Sequence, residues 1–576
     1  MDILRLYSAF LECGRVTTDS RAISGGEMFF GLKGENFDGN EYALKALEAG
    51  ARYAVVDEGS VSAASGDPRV IVVHDTLETL QALARHHREN TFVDGKRLTV
   101  IGLTGTNGKT TTKELITRVL SVKYNVTSTQ GNLNNDIGVP LSVLGINSKT
   151  QIAVIEMGAS HPDDIENLVK VSEPDYGIIT NVGKGHLLGF GSFDGVKKAK
   201  GKLYDYILEH GKGIFLNADD PILVGMAAER KGLKVIEYGV DYWGAIVLPS
   251  DADHPFVRMA IPDSVTDPVA SAVSATGNLS VPELVDAAGN PSVPELVDAA
   301  GNPSVPELVE GPMFRLGSPI AEATDRTENL LCLETHLAGA YNANNIATAI
   351  AVGLHFGVSL EDAIQAVSEY IPKNNRSQLE KTERNILIED AYNANPTSMA
   401  AALDNLASVQ ATLKAAMLGE MRELGEESVS EHVIVLEKLA AMNLDLVCLV
   451  GEEFRKALDS ERMVRQAHHP STSAHDTAAL APKSATSVPE AAASVPELVE
   501  GPDVKKAHHH SASVPELVEG PEVRLGSQVF ETISNVKWFP TSDDLVAWLK
   551  EHPVSDHTIL IKGSRGNRME KVLSEL

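Results

Sequence analysis

At 576 residues the chain is too long for one hydrophobic core, and at roughly 150 residues per domain it divides into three or four. Its 50 Lys and Arg against 79 Asp and Glu leave a net charge of -29, which repels a nucleic-acid backbone or an anionic membrane. Three widely spaced cysteines, Cys13, Cys332 and Cys448, exclude a disulfide framework and a thiolate zinc site and predict a reducing compartment.

In chain order, the opening MDILRLYSAFLEC carries Asp2 and Glu12, lacks a basic start and a small-residue cleavage site, and predicts a cytoplasmic chain without membrane insertion. Residues 1–95 mix short strands (MFFGL, YAVV, VIVV) with helical stretches such as the one around 77–87. Residues 96–337 alternate buried-strand runs (LTVIGLTG, IAVIEMG, YGIITNVG, GIFLNAD) with helical segments, the pattern of a parallel sheet covered on both faces. Residues 338–576 open on an Ala-rich helix and continue with ILIEDAY, AAMLGEM, LVCLVG and TILIKG between helices, which predicts a second, smaller α/β domain. The fold class is therefore α/β in three domains.

Two stretches interrupt this pattern. SVPELVDAAGNP begins at Ser280 and Ser292, and SVPELVEGP at Ser304, Ser494 and Ser513, while FRLGS and VRLGS close the two stretches at Ser318 and Ser527. Each unit offers one short apolar cluster, too little for a core, so residues of about 250–317 and 462–527 are expected to be in-frame inserts without fixed structure. The histidines His508 to His510 fit a polar insert better than a metal site.

The sharpest local signal is LTVIGLTGTNGKTTT, an apolar strand running into Gly105, Thr106, Asn107, Gly108, Lys109, Thr110 and Thr111 and then a helix. Two glycines let the backbone turn, successive N–H groups and the helix N-terminus face an anion, Lys109 reaches terminal phosphates, and Thr110 can ligate Mg²⁺. Leu103 stands where the longer GxxxxGK[ST] loop has its first glycine. Glu156 ends the run IAVIE, the strand-end position where ligands bind in open α/β sheets, and suits a magnesium ligand. Asn342 and Asn345 offer amides suited to an adenine edge, and Lys562 with Ser564 and Arg565 can hold an anion.

TGTNGKTTT, GNLNNDIGVPLS, EDAYNANPTSM, LGEMRELGEES and KGSRGNRME, in that order, resemble the Mur ligases, and the match spans everything except the two inserts. The resemblance implies an N-terminal UDP-substrate domain, a central ATP-binding domain and a C-terminal ligase domain. It implies that the chain joins D-alanyl-D-alanine to a UDP-N-acetylmuramoyl-tripeptide through an acyl phosphate, using ATP and Mg²⁺, for peptidoglycan precursor synthesis. It further implies His186 as a metal contact, Lys200 as a carbamylated lysine serving metal and phosphate, and Arg376 at the nucleotide. Asp390, Tyr392, Asn393 and Asn395, with Lys562 and Ser564, fall near the amine-substrate site, and Ser20, Arg21, Asp38 and Gly39 at the uridine nucleotide. A monomer is expected. A sister ligase, a folylpolyglutamate synthetase-like ligase and an inactive nucleotide-sugar-binding paralogue are the alternatives.

Overall fold

Three parallel α/β sheets follow one another along the chain in the computed structural model, which describes residues 2–34, 37–250, 254–265, 271–272, 329–372, 378–468 and 535–576. The first sheet orders its strands Val16–Thr17, Met28–Phe30, Tyr53–Asp57 and Val70–Val73, all parallel. MFF and YAVVD are apolar on both faces because helices cover both, and the helix Thr76–Glu89 buries Leu80, Leu83 and Ala84 against that layer.

The central sheet has the order Val126–Ser128, Ile152–Glu156, Thr99–Thr104, Tyr176–Ile179, Gly213–Asn217, Lys234–Tyr238, Ser271–Ala272, antiparallel only at the last pairing. Thr99–Thr104 lies between Ile152–Glu156 on one side and Tyr176–Ile179 on the other. Strand order reverses there, and the crevice beyond its C-terminal end is where such sheets bind ligands. The helix Lys109–Leu120 starts at that point and buries Leu115, Ile116, Val119 and Leu120 beneath the helix Asn342–His355. The C-terminal sheet is Gln378–Lys381, Ile386–Asp390, His557–Lys562, Leu413–Gly419, Leu446–Val450 and Val536–Phe539, parallel except for its first, edge strand.

The alternation of buried runs and helices thus forms the sheets expected of it, but the first interruption begins later than its assigned start. Residues 258–262 are the middle strand of a three-stranded antiparallel sheet with Ile246–Leu248 and Leu330–Glu334, and Val257, Met259 and Ile261 are buried. Alternation in VRMAI sets those three side chains inward, a period-2 signal that the repeats downstream obscure. Likewise the helix Glu452–His468 runs past residue 462, where the second interruption was placed. The repeats themselves and His508 to His510 lie outside the described residues. Among the described residues no helix is long and apolar enough to cross a membrane.

Candidate functional site

The strand Thr99–Thr104 delivers the chain to Gly105, and the loop closes on Gly108, whose φ of 78° is a left-handed value that glycine adopts without cost. A Cβ on Gly108 would stand 2.6 Å from Asn345 Oδ1, so the loop fits only as glycine. Lys109 opens the helix and folds its ammonium back, donating to the carbonyls of Gly105 at 2.8 Å and Thr106 at 3.2 Å. The Asn107 N–H donates to Asn181 Oδ1 at 3.0 Å, and Thr180 Oγ1 donates to the Asn107 carbonyl at 2.6 Å. Thr111 is buried in the first turn.

Glu156 is 1% exposed. Its Oε1 accepts from Thr110 Oγ1 at 3.2 Å and from Asn134 Nδ2 at 2.8 Å, while its buried Oε2 accepts no hydrogen bond among the described residues and faces Lys113 Nζ at 3.8 Å. A buried carboxylate oxygen without a donor, beside a threonine hydroxyl at the end of a phosphate loop, fits a hard divalent cation such as Mg²⁺. His186 sits in the left-handed region at φ 54°, and its Nδ1 is hydrogen-bonded to the Glu423 carboxylate. That bond fixes one ring nitrogen and leaves Nε2 for a ligand.

Lys200, on the long helix Phe193–His210, is buried and donates to the Gly105 carbonyl at 3.0 Å, the same oxygen that Lys109 uses. Burial first, and the Lys109 charge second, hold its ammonium well below the usual lysine range. Among four nearby lysines the sequence offers no physical reason to select this one; the fold does, because only its position on the helix turns inward.

Asn342 and Asn345 buttress the loop rather than present open amides. Asn342 donates to the Ala338 carbonyl and accepts from Asn345 Nδ2, both at 2.8 Å, and Asn345 Oδ1 accepts from Thr112 Oγ1 at 3.0 Å. Buried amides need internal partners, and these find them in one another, in the Ala338 carbonyl and in Thr112 of the helix after the loop.

From the C-terminal unit, Lys562 is 1% exposed and pairs with Asp390 at 2.5 Å while donating to the Asn393 carbonyl at 3.0 Å. It neutralises a carboxylate of its own sheet, so the open anion site expected of it is taken by Asp390. Ser564 is buried and bonded to Asn567, and Arg565 lies 6.0 Å over the Tyr392 ring. Asn393 Oδ1 accepts from the Ala394 N–H, and Asn395 caps the helix Pro396–Ser408. Asp390, Tyr392 and Asn393 share one cleft of about 2680 Å³ with Asn107, Lys109, Glu156 and His186. Lys184, bridged to Glu431 at 3.0 Å, lines the same cleft. Asn134, Asn181, Lys184, Glu423 and Glu431 are thus site residues not singled out above, although Asn134 and Glu423 lay inside quoted motifs and Asn181 inside a quoted strand run.

The N-terminal residues stand apart from that cleft. Arg21, in the turn Ser20–Ala22, forms a two-armed pair with Asp19 at 2.9 and 2.8 Å, and Asp38 Oδ1 accepts from the Asn40 N–H at 2.9 Å. Gly39 packs directly on the Leu32 backbone, where a side chain would collide. Arg376 lies outside the described residues.

A strand-end phosphate loop at the reversal point of a parallel sheet, with a second parallel sheet facing it across a cleft, defines an α/β protein built to act on phosphorylated ligands. The chain belongs to the Mur ligase family. Residues 13–88 match the Mur ligase family catalytic domain, 103–246 the Mur ligase middle domain, and 375–504 the Mur ligase glutamate ligase domain. The UDP-N-acetylmuramoyl-tripeptide--D-alanyl-D-alanine ligase of Bacillus subtilis strain 168 is 33% identical over 423 residues, which is 72% of this chain and 75% of that one. The enzyme of the same name from Escherichia coli strain K12 is 30% identical over 78% of this chain and 85% of its own. Among solved structures, a crystal structure of MurF from Acinetobacter baumannii superposes with a TM-score of 0.65 at 24% identity, covering 100% of this chain and 98% of that one. That of MurF ligase from Thermotoga maritima in complex with ADP gives 0.63 at 20% identity, over 98% and 97%. These two show the shared fold.

Proposed function

We propose that the chain is an ATP-dependent ligase that joins D-alanyl-D-alanine to UDP-N-acetylmuramoyl-tripeptide through an acyl phosphate, in peptidoglycan precursor synthesis. Its named relatives carry that activity in their names. The observation that bears most weight is the shared cleft, which the phosphate loop with Lys109 and the donor-poor Glu156 line together with Asp390, Tyr392 and Asn393. In this reading residues 1–95 hold the UDP end of one substrate, 96–337 the nucleotide and 338–576 the dipeptide, in a monomer that works in the cytoplasm.

ATP, bound with Mg²⁺, supplies the phosphoryl group that activates the substrate carboxylate. The protein's own part is positioning and charge neutralisation. The N–H groups of the loop and the Lys109 ammonium would bind phosphate oxygens, while Thr110, Glu156 and His186 would hold the cation. Burial disfavours the Lys200 ammonium and so favours the amine, whose Nζ lone pair can add to CO₂ with loss of one proton. A carbamate there would retain one N–H on Nζ as a donor and would give the site a negative charge suited to a cation.

Phosphate release tests the assignment. Turnover requires both the UDP-N-acetylmuramoyl-tripeptide and D-alanyl-D-alanine, and equal turnover with glutamate or a free diamino acid in place of the dipeptide would defeat it.

A further inference from the structure

Asn107, on the phosphate loop, and Asn395, at the start of the helix Pro396–Ser408, are 288 positions apart and meet directly with both amides engaged. Asn107 Nδ2 donates to Asn395 Oδ1 at 3.3 Å, and Asn395 Nδ2 donates back to Asn107 Oδ1 at 2.8 Å. Neither element needs this pair for its own structure. The backbone of Asn107 is pinned by Thr180 and Asn181, and the helix Pro396–Ser408 is already capped by Asn395 Oδ1 accepting from Ser398 N–H at 2.9 Å. The Asn395 Nδ2 donor is therefore surplus to the cap.

The surroundings are built for close approach. The loop 183–186 runs between the two: Thr106 Oγ1 accepts from the Gly183 N–H at 2.9 Å, and Thr397 Oγ1 accepts from the Lys184 N–H at 3.1 Å. A Cβ on Gly183 would lie 2.6 Å from Thr397 Oγ1, and one on Gly185 would lie 2.9 Å from Thr106 Cγ2, so only glycine lets the layers meet. An amide pair is neutral, so it neither competes with Lys109 for phosphate nor suffers screening by salt. Bonds of this kind contribute modestly to stability, so the pair's effect is expected in alignment more than in folding.

We propose that the Asn107–Asn395 pair is a clasp that sets the amine-side segment of the C-terminal unit in register with the phosphate loop, making Asn395 a positioning residue for ligation. The inference rests on the proposed function. In that frame the clasp aligns the incoming amine with the activated carboxyl, a step in which displacement by about 1 Å costs up to about 100-fold in rate.

The test uses Asn395→Ser, which retains a strong cap while being too short to reach Asn107. With Asn107→Ser and the double variant it gives a cycle in kcat and in KM for ATP and dipeptide. Expected are a kcat for Asn395→Ser lowered about 10-fold or more, a KM for ATP within about twofold of wild type, and a double variant no slower than the slower single. A kcat within twofold of wild type, or losses that multiply in the double variant, overturns the clasp. If Asn395→Ser melts below the assay temperature, Asn395→Thr, which keeps a capping hydroxyl and is likewise too short to reach Asn107, is judged by the same criteria. A wild type without dipeptide-dependent phosphate release would defeat the proposed function instead. The clasp is then judged by solution scattering, where an Asn395→Ser radius of gyration equal to wild type overturns it and a larger one supports it.

Discussion

At the scale of single residues, Lys109 and Lys200 share one carbonyl yet predict different outcomes. Lys109 is half-buried at the mouth of the cleft and donates to two carbonyls of its own loop, so Lys109→Ala should leave the core intact. Turnover should fall by about 100-fold or more, the loss typical when a group stabilising developing charge is removed, while the melting temperature stays within a few degrees. Turnover above about a tenth of wild type would remove the lysine from that role. Lys200→Ala, by contrast, deletes a buried chain packed near the Phe190 ring. If Nζ carries a carbamate, acetate or propionate enters the space and restores part of the lost rate; rescue that fails, together with wild-type activity indifferent to CO₂, returns Lys200 to an ordinary buried amine. The loop glycines and Lys109 were legible in the sequence because their geometry is local. The partners that complete the site were not, since Glu156 meets Asn134 22 positions away and Lys184 meets Glu431 247 away. Side-chain pairs that only the fold brings together leave no mark in spacing.

At the scale of elements, the same distinction separates strands buried on both faces from an edge. ILIED, LKAAMLG, LVCLV and HTILIK announce themselves as apolar runs, whereas the edge strand Gln378–Lys381 reads QLEK and has no run to show. Its pairing with Ile386–Asp390 brings Glu380 to the buried Glu389. Burial, then the hydrogen bond and charge of Glu380, push the Glu389 carboxyl up to about 7. With its folded value above the unfolded one, the native state binds the extra proton. Its contribution to stability is present below the ordinary carboxyl range and is lost as pH rises toward 7. Glu389→Gln should therefore melt higher than wild type at pH 8, with the gap closing by pH 5. A variant whose gap does not change between those two values would show that Glu389 titrates normally. The residue is one position from Asp390, so melting rather than turnover is the clean readout.

At the scale of the whole molecule, the position of the repeats relative to the sheets decides what can be removed. The repeats from Ser280 through Pro312 lie outside the described residues, whereas the strand Arg258–Pro262 upstream of them is the middle of a three-stranded sheet. That sheet joins the core through Val257, Met259, Ile261 and Leu333, in one apolar cluster with Leu115, Ile116 and the helix Asn342–His355. Two deletions that look alike in sequence should then behave differently. Removing residues 280–312 takes away no described residue, and the melting temperature and ligase rate should stay near wild type. Removing 250–317 takes the central strand, leaves Ile246–Leu248 and Leu330–Glu334 without the neighbour each pairs with, and exposes cluster side chains worth about 1.5–3 kcal/mol apiece when buried. A few such losses equal the whole stability of a typical domain, about 5–15 kcal/mol, so this chain should be recovered unfolded or without activity. Thermal melting and phosphate release on both proteins, expressed side by side, decide the matter. Equal behaviour would mean either that the repeats carry structure the core depends on, if both fail, or that the three-stranded sheet is dispensable, if both survive.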